Sequence, residues 1–192
     1  WRATWGGEGG GVMMNQSPHI LDVFVQLAGL PSEVFGNIDT RLHHIEVEDQ
    51  AEAMLKYPDG ATGYMVCSTN EAGPGQMIEL FGDQGKLVLR NGKLSFFRFE
   101  PSIGDHIRTS KEMWGGPKVV EEPLEIPEKT VGHFDVIGNF VRHLLHGEPL
   151  AAPGESGLAS LELANAIMLS SFLKRWVKLP IGRKQYDTVL AK

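Results

Sequence analysis

Hydrophobic residues change their spacing twice along this chain of 192 residues. Over residues 12–27 they recur every three or four positions, as on one face of a helix. Over residues 33–98 short β-prone runs follow one another between turn signals, and over residues 134–176 helical spacing returns. This order predicts an α+β fold, with an open, mainly antiparallel sheet and helices packed on one face.

The chain opens with a glycine-rich stretch that ends at Gly11. Each glycine in a helix interior costs about 1 kcal/mol, so residues 1–11 are predicted to be a loop. The amphipathic helix that follows contains Pro18, which removes one backbone N–H and clashes with the preceding turn. Two arrangements satisfy this constraint: the helix begins late, near Ser17, or it is kinked where Asn15 and His19 lie.

Turn signals divide residues 33–98 into four to six strands. The strongest signal is Asn91-Gly92, which lies between two β-prone runs and predicts a two-residue hairpin. Residues 51–57 alternate in polarity, as in a strand with one buried face. Residues 101–118 are predicted to be irregular, with a short strand following at residues 119–126.

Two apolar stripes at helical spacing predict helices near residues 134–145 and 155–176. The side chains expected to face inward from the second helix are Leu158, Leu161, Ala164, Ile167, Met168 and Phe172. No internal repeat or low-complexity linker interrupts the sequence, so residues 1–192 are predicted to form one domain. The first residue is Trp1 and not methionine, which favours a chain processed or cut from a longer one.

Net charge, hydropathy and cysteine content limit the kinds of molecule that this protein is expected to bind and the compartment in which it is expected to lie. The formal net charge is −6 and no basic stripe is present, so no nucleic-acid partner is expected. No apolar run reaches the roughly 18 residues of a membrane span and no leader opens the chain, so no membrane partner is expected. The single cysteine, Cys67, cannot form an internal disulfide, which favours a reducing, cytoplasmic setting.

The sequence lacks the common nucleotide and metal motifs. The glycines between positions 6 and 11 complete no G-x-G-x-x-G spacing, and no phosphate loop is present. His143 and His146 lie three apart on a predicted helix, but no cysteine or carboxylate accompanies them at a known metal spacing. His43 and His44 would point to opposite faces of a strand, so they cannot bind one metal together. No metal site is predicted.

Asn15 and His19 are the strongest candidates for chemistry. Their four-residue spacing places both on one face of a helix, at its first turn after a flexible glycine segment. An imidazole there can act as a general base, and an amide can hydrogen-bond a substrate. The same spacing fits a structural pair, in which Asn15 caps the helix and His19 packs against the sheet. Spacing alone leaves both interpretations open.

Two other groups of residues are weaker candidates for a functional role. The adjacent carboxylates Glu48 and Asp49 would face opposite sides of a strand, and we interpret them as a solvated strand entry. Trp1 and Trp5 flank Arg2, a combination that either stacks on a planar ligand or covers the core.

Several segments together resemble the C-terminal domain of the Gfo/Idh/MocA family of NAD(P)-dependent oxidoreductases. The opening, through Asn15-Gln16-Ser17-Pro18-His19, is similar to the start of that domain. Further likeness, in the same order and spacing, lies in residues 45–49, 81–87, 133–140 and 154–157. One such segment is weak, whereas the set is specific and covers nearly the whole chain.

The resemblance implies a two-domain enzyme. Its N-terminal Rossmann half would bind NAD or NADP and supply a lysine from a Glu-Lys-Pro motif. That half is absent from residues 1–192, which are therefore expected to be a single C-terminal substrate-binding and oligomerisation domain. The family places an aspartate or asparagine in its active site, with a histidine four positions later. These positions are Asn15 and His19 in this chain.

The chemistry implied is hydride transfer between NAD(P) and a sugar, inositol or related polyhydroxylated substrate, with the fragment alone inactive. His19 is then the expected proton acceptor or donor, and Asn15 orients it or the substrate. Arg2, Trp1 and Trp5 are candidates for substrate binding at the pocket rim, and cofactor-binding residues are expected mainly in the absent half. An aspartate at position 15 would raise the basicity of the imidazole, whereas neutral Asn15 only hydrogen-bonds.

The sequence leaves two alternative functions open. One is a non-catalytic relative that senses a sugar or nucleotide, and the other is a structural assembly domain. A homodimer or tetramer through the exposed face of the sheet is expected, because large apolar sheet faces mark interfaces.

Overall fold

The computed structural model describes residues 1–73, 75–125 and 131–190 of the chain. The chain divides into two compact units, one from Trp1–Glu71 and Val136–Lys192 and the other from Ala72–Asp135. The predicted α+β class with antiparallel strands is confirmed, although the described strands belong to two four-stranded sheets and not to one.

The order of helices and strands along the chain largely follows the order predicted from the hydrophobic spacing. The helices are α1 (Trp5–Glu8), α2 (Val12–Asn15), α3 (Pro18–Ala28), α4 (Ile103–Thr109), α5 (His133–His146), α6 (Leu158–Leu173) and α7 (Arg183–Leu190). The strands are β1 (Glu33–Asp39), β2 (Gln50–Lys56), β3 (Thr62–Ser68), β4 (Met77–Phe81), β5 (Gly85–Arg90), β6 (Lys93–Glu100), β7 (Lys118–Glu122) and β8 (Val177–Lys178). A short 3-10 helix, Gly154–Gly157, leads into α6.

The glycine-rich opening is not the uninterrupted loop that the sequence predicts. Helix α1 forms within it because the Thr4 hydroxyl accepts a hydrogen bond from the N–H of Gly7, and Gly9, with φ 72°, ends the turn. Gly7 also lies so close to Trp1 that a Cβ would be 2.0 Å from the Trp1 carbonyl oxygen. A capped single turn and a close backbone approach therefore outweigh the poor helix propensity of glycine.

The chain around Pro18 takes the first of the two expected arrangements. Helix α2 ends at Asn15, Ser17 stands at the N-cap position of α3, and Pro18 begins that helix, where no intrahelical N–H bond is needed. Helix α3 ends at Gly29, whose φ is 74°. Asn15 and His19 therefore lie on successive helices, and the prediction that they share one helix is wrong.

The larger sheet has the strand order β3-β2-β1-β8 and is antiparallel at each pairing. Strand β2 buries Ala51, Ala53 and Leu55 and exposes Glu52 and Lys56 between them, which confirms the predicted alternation. Strand β8 was not predicted, because its two residues are too few to show an alternating pattern.

Helix α6 forms the centre of the core against this sheet. Of the six side chains that were expected to face inward from α6, three are buried (Ala164, Ile167 and Met168) and three are exposed (Leu158, Leu161 and Phe172). Strand β1 and helices α3 and α7 contact α6 from several sides. Its buried positions therefore do not follow a single stripe.

Two serine hydroxyls attach α6 to strand β1. The N–H of Gly36 donates to Ser170 Oγ at 2.9 Å, and the N–H of Ile38 donates to Ser171 Oγ at 3.0 Å. Helix and strand approach so closely that a Cβ on Gly36 would lie 2.5 Å from the carbonyl oxygen of Ile167. Glycine is therefore required at position 36.

The smaller unit contains the second sheet, with the order β4-β5-β6-β7. Asn91 and Gly92 connect β5 to β6 with φ values of 52° and 76°. Both values are positive, as in a type I′ turn, so the predicted hairpin is confirmed.

The segment after β6 differs in part from its prediction. Helix α4 lies within residues 101–118, which were expected to be irregular, and Ser102 caps it by accepting a hydrogen bond from the N–H of Asp105. The strand predicted at residues 119–126 is β7; its expected last residue, Ile126, lies outside the described residues.

Helix α5 lies where the first C-terminal helix is predicted. Its buried residue is Asn139, whose side-chain amide donates to Glu148 Oε1 at 2.8 Å and to the carbonyl oxygen of Pro149 at 3.0 Å. The apolar stripe of α5 is exposed and consists of Phe134, Ile137, Phe140, Val141, Leu144 and Leu145. Hydrogen bonds therefore hold α5 to the segment that follows it.

Within the described part of the chain, Gly154–Leu173 is long and apolar enough to cross a membrane by length and composition alone, with a mean hydropathy of 1.3. This stretch contains α6, and its residues Leu163 and Ile167 are fully buried in the core. The apolar composition of this stretch is therefore explained by the position of α6 at the centre of the larger unit.

The buried carboxylate of Glu48 fixes the N-terminal segment beside β2. Its oxygens accept hydrogen bonds from the N–H groups of Gly11 at 2.8 Å and Met13 at 3.0 Å, and its backbone carbonyl accepts from Val12 at 2.9 Å. One residue thus satisfies three successive amides at the start of α2. Glu48 and Asp49 are each 1% exposed, so the expectation of a solvated strand entry is wrong for both.

The substitution Gly36→Ala is expected to lower the free energy of unfolding by about 1–3 kcal/mol or more, because the added methyl group meets the backbone of α6. Gly154→Ala is the matched control, since no atom lies within 4 Å of the corresponding Cβ position. Chemical denaturation of both variants measures the difference. Equal stabilities would contradict the close packing of β1 on α6.

The substitution Glu48→Gln is expected to lower the free energy of unfolding by about 1–3 kcal/mol. An amide accepts through one oxygen only, so one of the buried N–H groups of Gly11 and Met13 loses its partner. Glu46→Gln, an exposed change of the same kind two residues away, is the control. If denaturation midpoints of the two variants coincide, Glu48 does not anchor α2.

Candidate functional site

A single carboxylate joins the candidate residues near the N-terminus. Glu8 Oε1 accepts a hydrogen bond from Asn15 Nδ2 at 2.8 Å and lies 3.9 Å from Nε of Arg2. The other oxygen of Glu8 accepts from the backbone N–H of Ala3. Glu8 thus brings Asn15 and Arg2 together, a role that sequence reasoning missed. The signal that could have found it is that Glu8 is the only carboxylate among residues 1–21.

Asn15 and His19 both lie at the surface, on either side of the junction between α2 and α3. Gln16 and Ser17 between them keep right-handed helical backbone angles, so the junction is a short interruption and not a reversal of the chain. Asn15 ends α2 and does not cap a helix N-terminus, and His19 is exposed. The structural alternative, in which Asn15 caps the helix and His19 packs on the sheet, is therefore wrong.

The two N-terminal tryptophans have different surroundings. Trp1 is 82% exposed, and the guanidinium of Arg2 lies 5.6 Å from the centroid of its ring. Trp5 is half-buried and meets the ring of Phe172 edge-on, with 5.5 Å between centroids. Trp1 and Arg2 are therefore accessible to a ligand, whereas Trp5 covers the end of α6.

Asp49 organises the loop of residues 40–49 that joins β1 to β2. Its carboxylate accepts backbone hydrogen bonds from Arg41 at 2.9 Å and from Leu42 and His43 at 3.0 Å, and Asn70 Nδ2 donates to it at 2.8 Å. Burial by itself raises the pKa of Asp49, but these hydrogen bonds outweigh burial and hold the pKa well below its usual range. Asp49 is therefore an anion at neutral pH.

The same loop contacts the N-terminal segment. The N–H of Glu46 donates to the carbonyl oxygen of Ala3 at 3.1 Å. Ala3 in turn donates its N–H to Glu8, the residue that holds Asn15. The loop and the candidate residues therefore form one continuous part of the larger unit.

The arrangement can bind and deprotonate a hydroxyl group. Because Nδ2 of Asn15 is bound to Glu8, the Oδ1 atom of Asn15 remains an acceptor for an incoming hydroxyl. The exposed imidazole of His19 can accept a proton. Over residues 1–73, 75–125 and 131–190, no three His, Cys, Asp or Glu side chains come together as a possible metal site.

Comparison with curated proteins identifies a dehydrogenase relative. The myo-inositol 2-dehydrogenase of Thermotoga maritima is 26% identical over 176 residues, which cover 88% of this chain and 49% of that enzyme.

Solved structures share the fold. The WlbA dehydrogenase from Bordetella pertussis, in complex with NADH and UDP-GlcNAcA, superposes with a TM-score of 0.69 and 23% identity over 95% of this chain and 49% of that one. Levoglucosan dehydrogenase, in complex with NADH and levoglucosan, gives a TM-score of 0.66 and 19% identity over 94% of this chain and 53% of that one. This chain thus spans about half the length of the relatives it matches.

Residues 1–88 match the family model of the GFO/IDH/MocA C-terminal domain. The matched residues include Arg2, Glu8, Asn15 and His19 and the whole of the loop between β1 and β2. The resemblance inferred from the sequence is thereby confirmed over residues 1–88, which match the model of the GFO/IDH/MocA C-terminal domain.

Proposed function

We propose that this chain is the substrate-binding half of an oxidoreductase that transfers a hydride between NAD(P) and a sugar, inositol or related polyhydroxylated compound. The observation that carries the proposal is the hydrogen bond from Asn15 to Glu8, with Asn15 four positions before the exposed His19, within the residues that match the family model. The relatives support this substrate class, since one is a myo-inositol dehydrogenase and two were solved with sugar compounds.

The proposed chemistry assigns a task to each candidate residue. Oxidation of a carbinol carbon sends a hydride to the nicotinamide, and the hydroxyl proton needs an acceptor. His19 accepts that proton in the oxidation and returns it in the reduction. Asn15 orients the substrate by accepting a hydrogen bond from one of its hydroxyl groups. Arg2 and Trp1 bind the substrate at the rim, with Trp5 behind them.

The cofactor in this proposal, NAD or NADP, is bound mainly by another part of the protein. Two of the relatives were solved with NADH, and this chain spans about half of their length. Residues 1–192 alone are then inactive, because the hydride acceptor is held elsewhere. We place the protein in the cytoplasm, in keeping with the free thiol of Cys67.

One face of the larger sheet supports a second role, in assembly. Strand pairing places Phe35, Met54 and Tyr64 side by side on this face, with Val66 next to them. Met54 is 39% exposed, Tyr64 75% and Val66 62%. Contiguous exposed apolar side chains of this kind are typical of a protein interface. We propose that the protein forms a homodimer or tetramer through this face.

The longer protein that contains this chain is expected to oxidise at least one of myo-inositol, levoglucosan and UDP-GlcNAcA with NAD⁺ or NADP⁺. His19→Ala should then lower kcat by about 10²–10⁴-fold, because the proton acceptor is lost. His146→Ala, which changes an exposed histidine of α5, is the control for steady-state kinetics. Unchanged turnover in His19→Ala contradicts the role of His19. Sugar binding without any turnover would favour the non-catalytic, sensing alternative.

Tyr64→Asp is expected to shift the protein from an oligomer toward the monomer, because it places a charge in the centre of an apolar face. Met113→Asp, which changes an exposed methionine of the other unit, is the control and should leave the oligomer intact. Sedimentation velocity at micromolar concentration measures both. A monomeric wild-type protein would contradict assembly through this face.

A further inference from the structure

Glu8, the last residue of α1, has most of its side chain withdrawn from solvent. That side chain is 12% exposed, whereas the side chain of Arg2 beside it is 72% exposed. The N–H of Glu8 donates to the carbonyl oxygen of Thr4 at 3.0 Å, and Gly9, with φ 72°, ends the helix directly after it. The backbone of α1 therefore fixes the point from which the carboxylate reaches Asn15.

The two oxygens of Glu8 have different partners. Oε2 accepts from the backbone N–H of Ala3, and Oε1 accepts from Nδ2 of Asn15 at 2.8 Å. A carboxylate oxygen has lone pairs but no hydrogen, so each contact requires a donor on the opposite side. The contact to Ala3 fixes the rotation of the carboxylate, which leaves Oε1 directed at the amide of Asn15.

This contact determines which end of the Asn15 amide faces outward. An amide presents either its oxygen or its NH₂ group to a neighbour, because a half-turn exchanges the two. With Nδ2 toward Glu8, the Oδ1 atom faces away from the carboxylate. The reverse orientation would bring two acceptors together with no hydrogen between them. A carboxylate on the donor side also makes the amide oxygen a stronger acceptor, because hydrogen bonds in series polarise one another.

Other contacts fix the backbone of Asn15. Its N–H donates to the carbonyl oxygen of Gly11 at 2.9 Å, and the start of α2 is held by Glu48. The bond to Glu8 is made by the side chain of Asn15 alone. Glu8 therefore orients that side chain, whereas helix α2 takes its position from Glu48.

We propose that Glu8 is a positioning residue of the proposed reaction, through which the site selects a substrate hydroxyl that donates a hydrogen bond to Oδ1 of Asn15. This inference rests on the proposed function and adds a residue and a selectivity to it. A deoxyfluoro analogue has an acceptor of similar size in place of a hydroxyl group but no donor. The wild-type site is therefore expected to discriminate against the analogue that is fluorinated at the contacted carbon.

Steady-state kinetics of the longer protein compares Glu8→Gln with Glu79→Gln. When the glutamine keeps its oxygen on Ala3, its NH₂ group faces Asn15, whose amide must turn and present Nδ2 to the substrate. We expect kcat/KM for the best of the compounds named above to fall about 10–100-fold. Glu79, which pairs with Lys86 at 3.0 Å in the other unit, is the matched control and should retain the wild-type kcat/KM.

Selectivity is measured with deoxyfluoro analogues of the same compound, each fluorinated at one carbon that is not oxidised. The analogue that the wild-type protein disfavours most should be disfavoured less by Glu8→Gln, because fluorine can accept from Nδ2 of Asn15. A loss of stability alone would not change this preference. A wild-type protein that turns over every analogue as fast as the parent compound, or unchanged preference in Glu8→Gln, would overturn the proposal.

Exchange of the two side chains provides a second test. Asn15→Asp alone sets two carboxylates against each other, so its kcat/KM should fall. When Asn15→Asp is combined with Glu8→Gln, the glutamine NH₂ group donates to the aspartate, whose second oxygen accepts from the substrate. The double variant should therefore have a higher kcat/KM than either single variant. A double variant no better than the single variants would overturn the proposal.

Thermal unfolding of the wild-type protein and these three variants separates positioning from a structural role. The Tm values should stay close to the wild-type Tm while kcat/KM changes. A Tm that falls and recovers in parallel with kcat/KM would assign Glu8 to folding and overturn the proposal. An inactive wild-type protein contradicts the proposed function and this inference with it, whereas an active protein with wild-type kinetics in Glu8→Gln contradicts only the role of Glu8.

Discussion

The attachment of the N-terminal segment to Glu48 is the interaction on which the candidate site depends. Taking a carboxylate out of water is unfavourable, and hydrogen bonds from Gly11 and Met13 offset that cost. The contact leaves no room for a side chain, since a Cβ on Gly11 would lie 1.9 Å from the carbonyl oxygen of Glu48. Helix α2, and with it Asn15, takes its position from this attachment.

The carboxylate of Asp49, the next residue in the sequence, holds a different segment of the chain. Asp49 binds the backbone of residues 41–43, whereas Glu48 binds the start of α2. The two carboxylates bind different backbone N–H groups, so two adjacent residues fix two separate segments, which meet where Glu46 binds Ala3.

Features encoded within a few residues were predictable from the sequence, and those that depend on distant partners were not. The Asn91-Gly92 hairpin and the alternation in β2 follow from turn chemistry and side-chain spacing. The burial of Glu48 depends on Gly11, which is 37 positions away, and no local pattern reports such a partner. Within the candidate site, Asn15 and His19 are predicted from residue type and family resemblance. Glu8 was missed because a single glutamate at these distances from Arg2 and Asn15 matches no known motif spacing.

The two carboxylates nearest the candidate histidines bind different partners. The carboxylate of Glu8 is already shared among Asn15, Ala3 and Arg2, so its charge is directed to donors other than His19. Asp49 is withdrawn from solvent and accepts hydrogen bonds from the backbone and the ring of His43. Position 15 in this chain is an amide, and the buried anion that contacts an imidazole is Asp49, which also binds the backbone of the loop that carries His43.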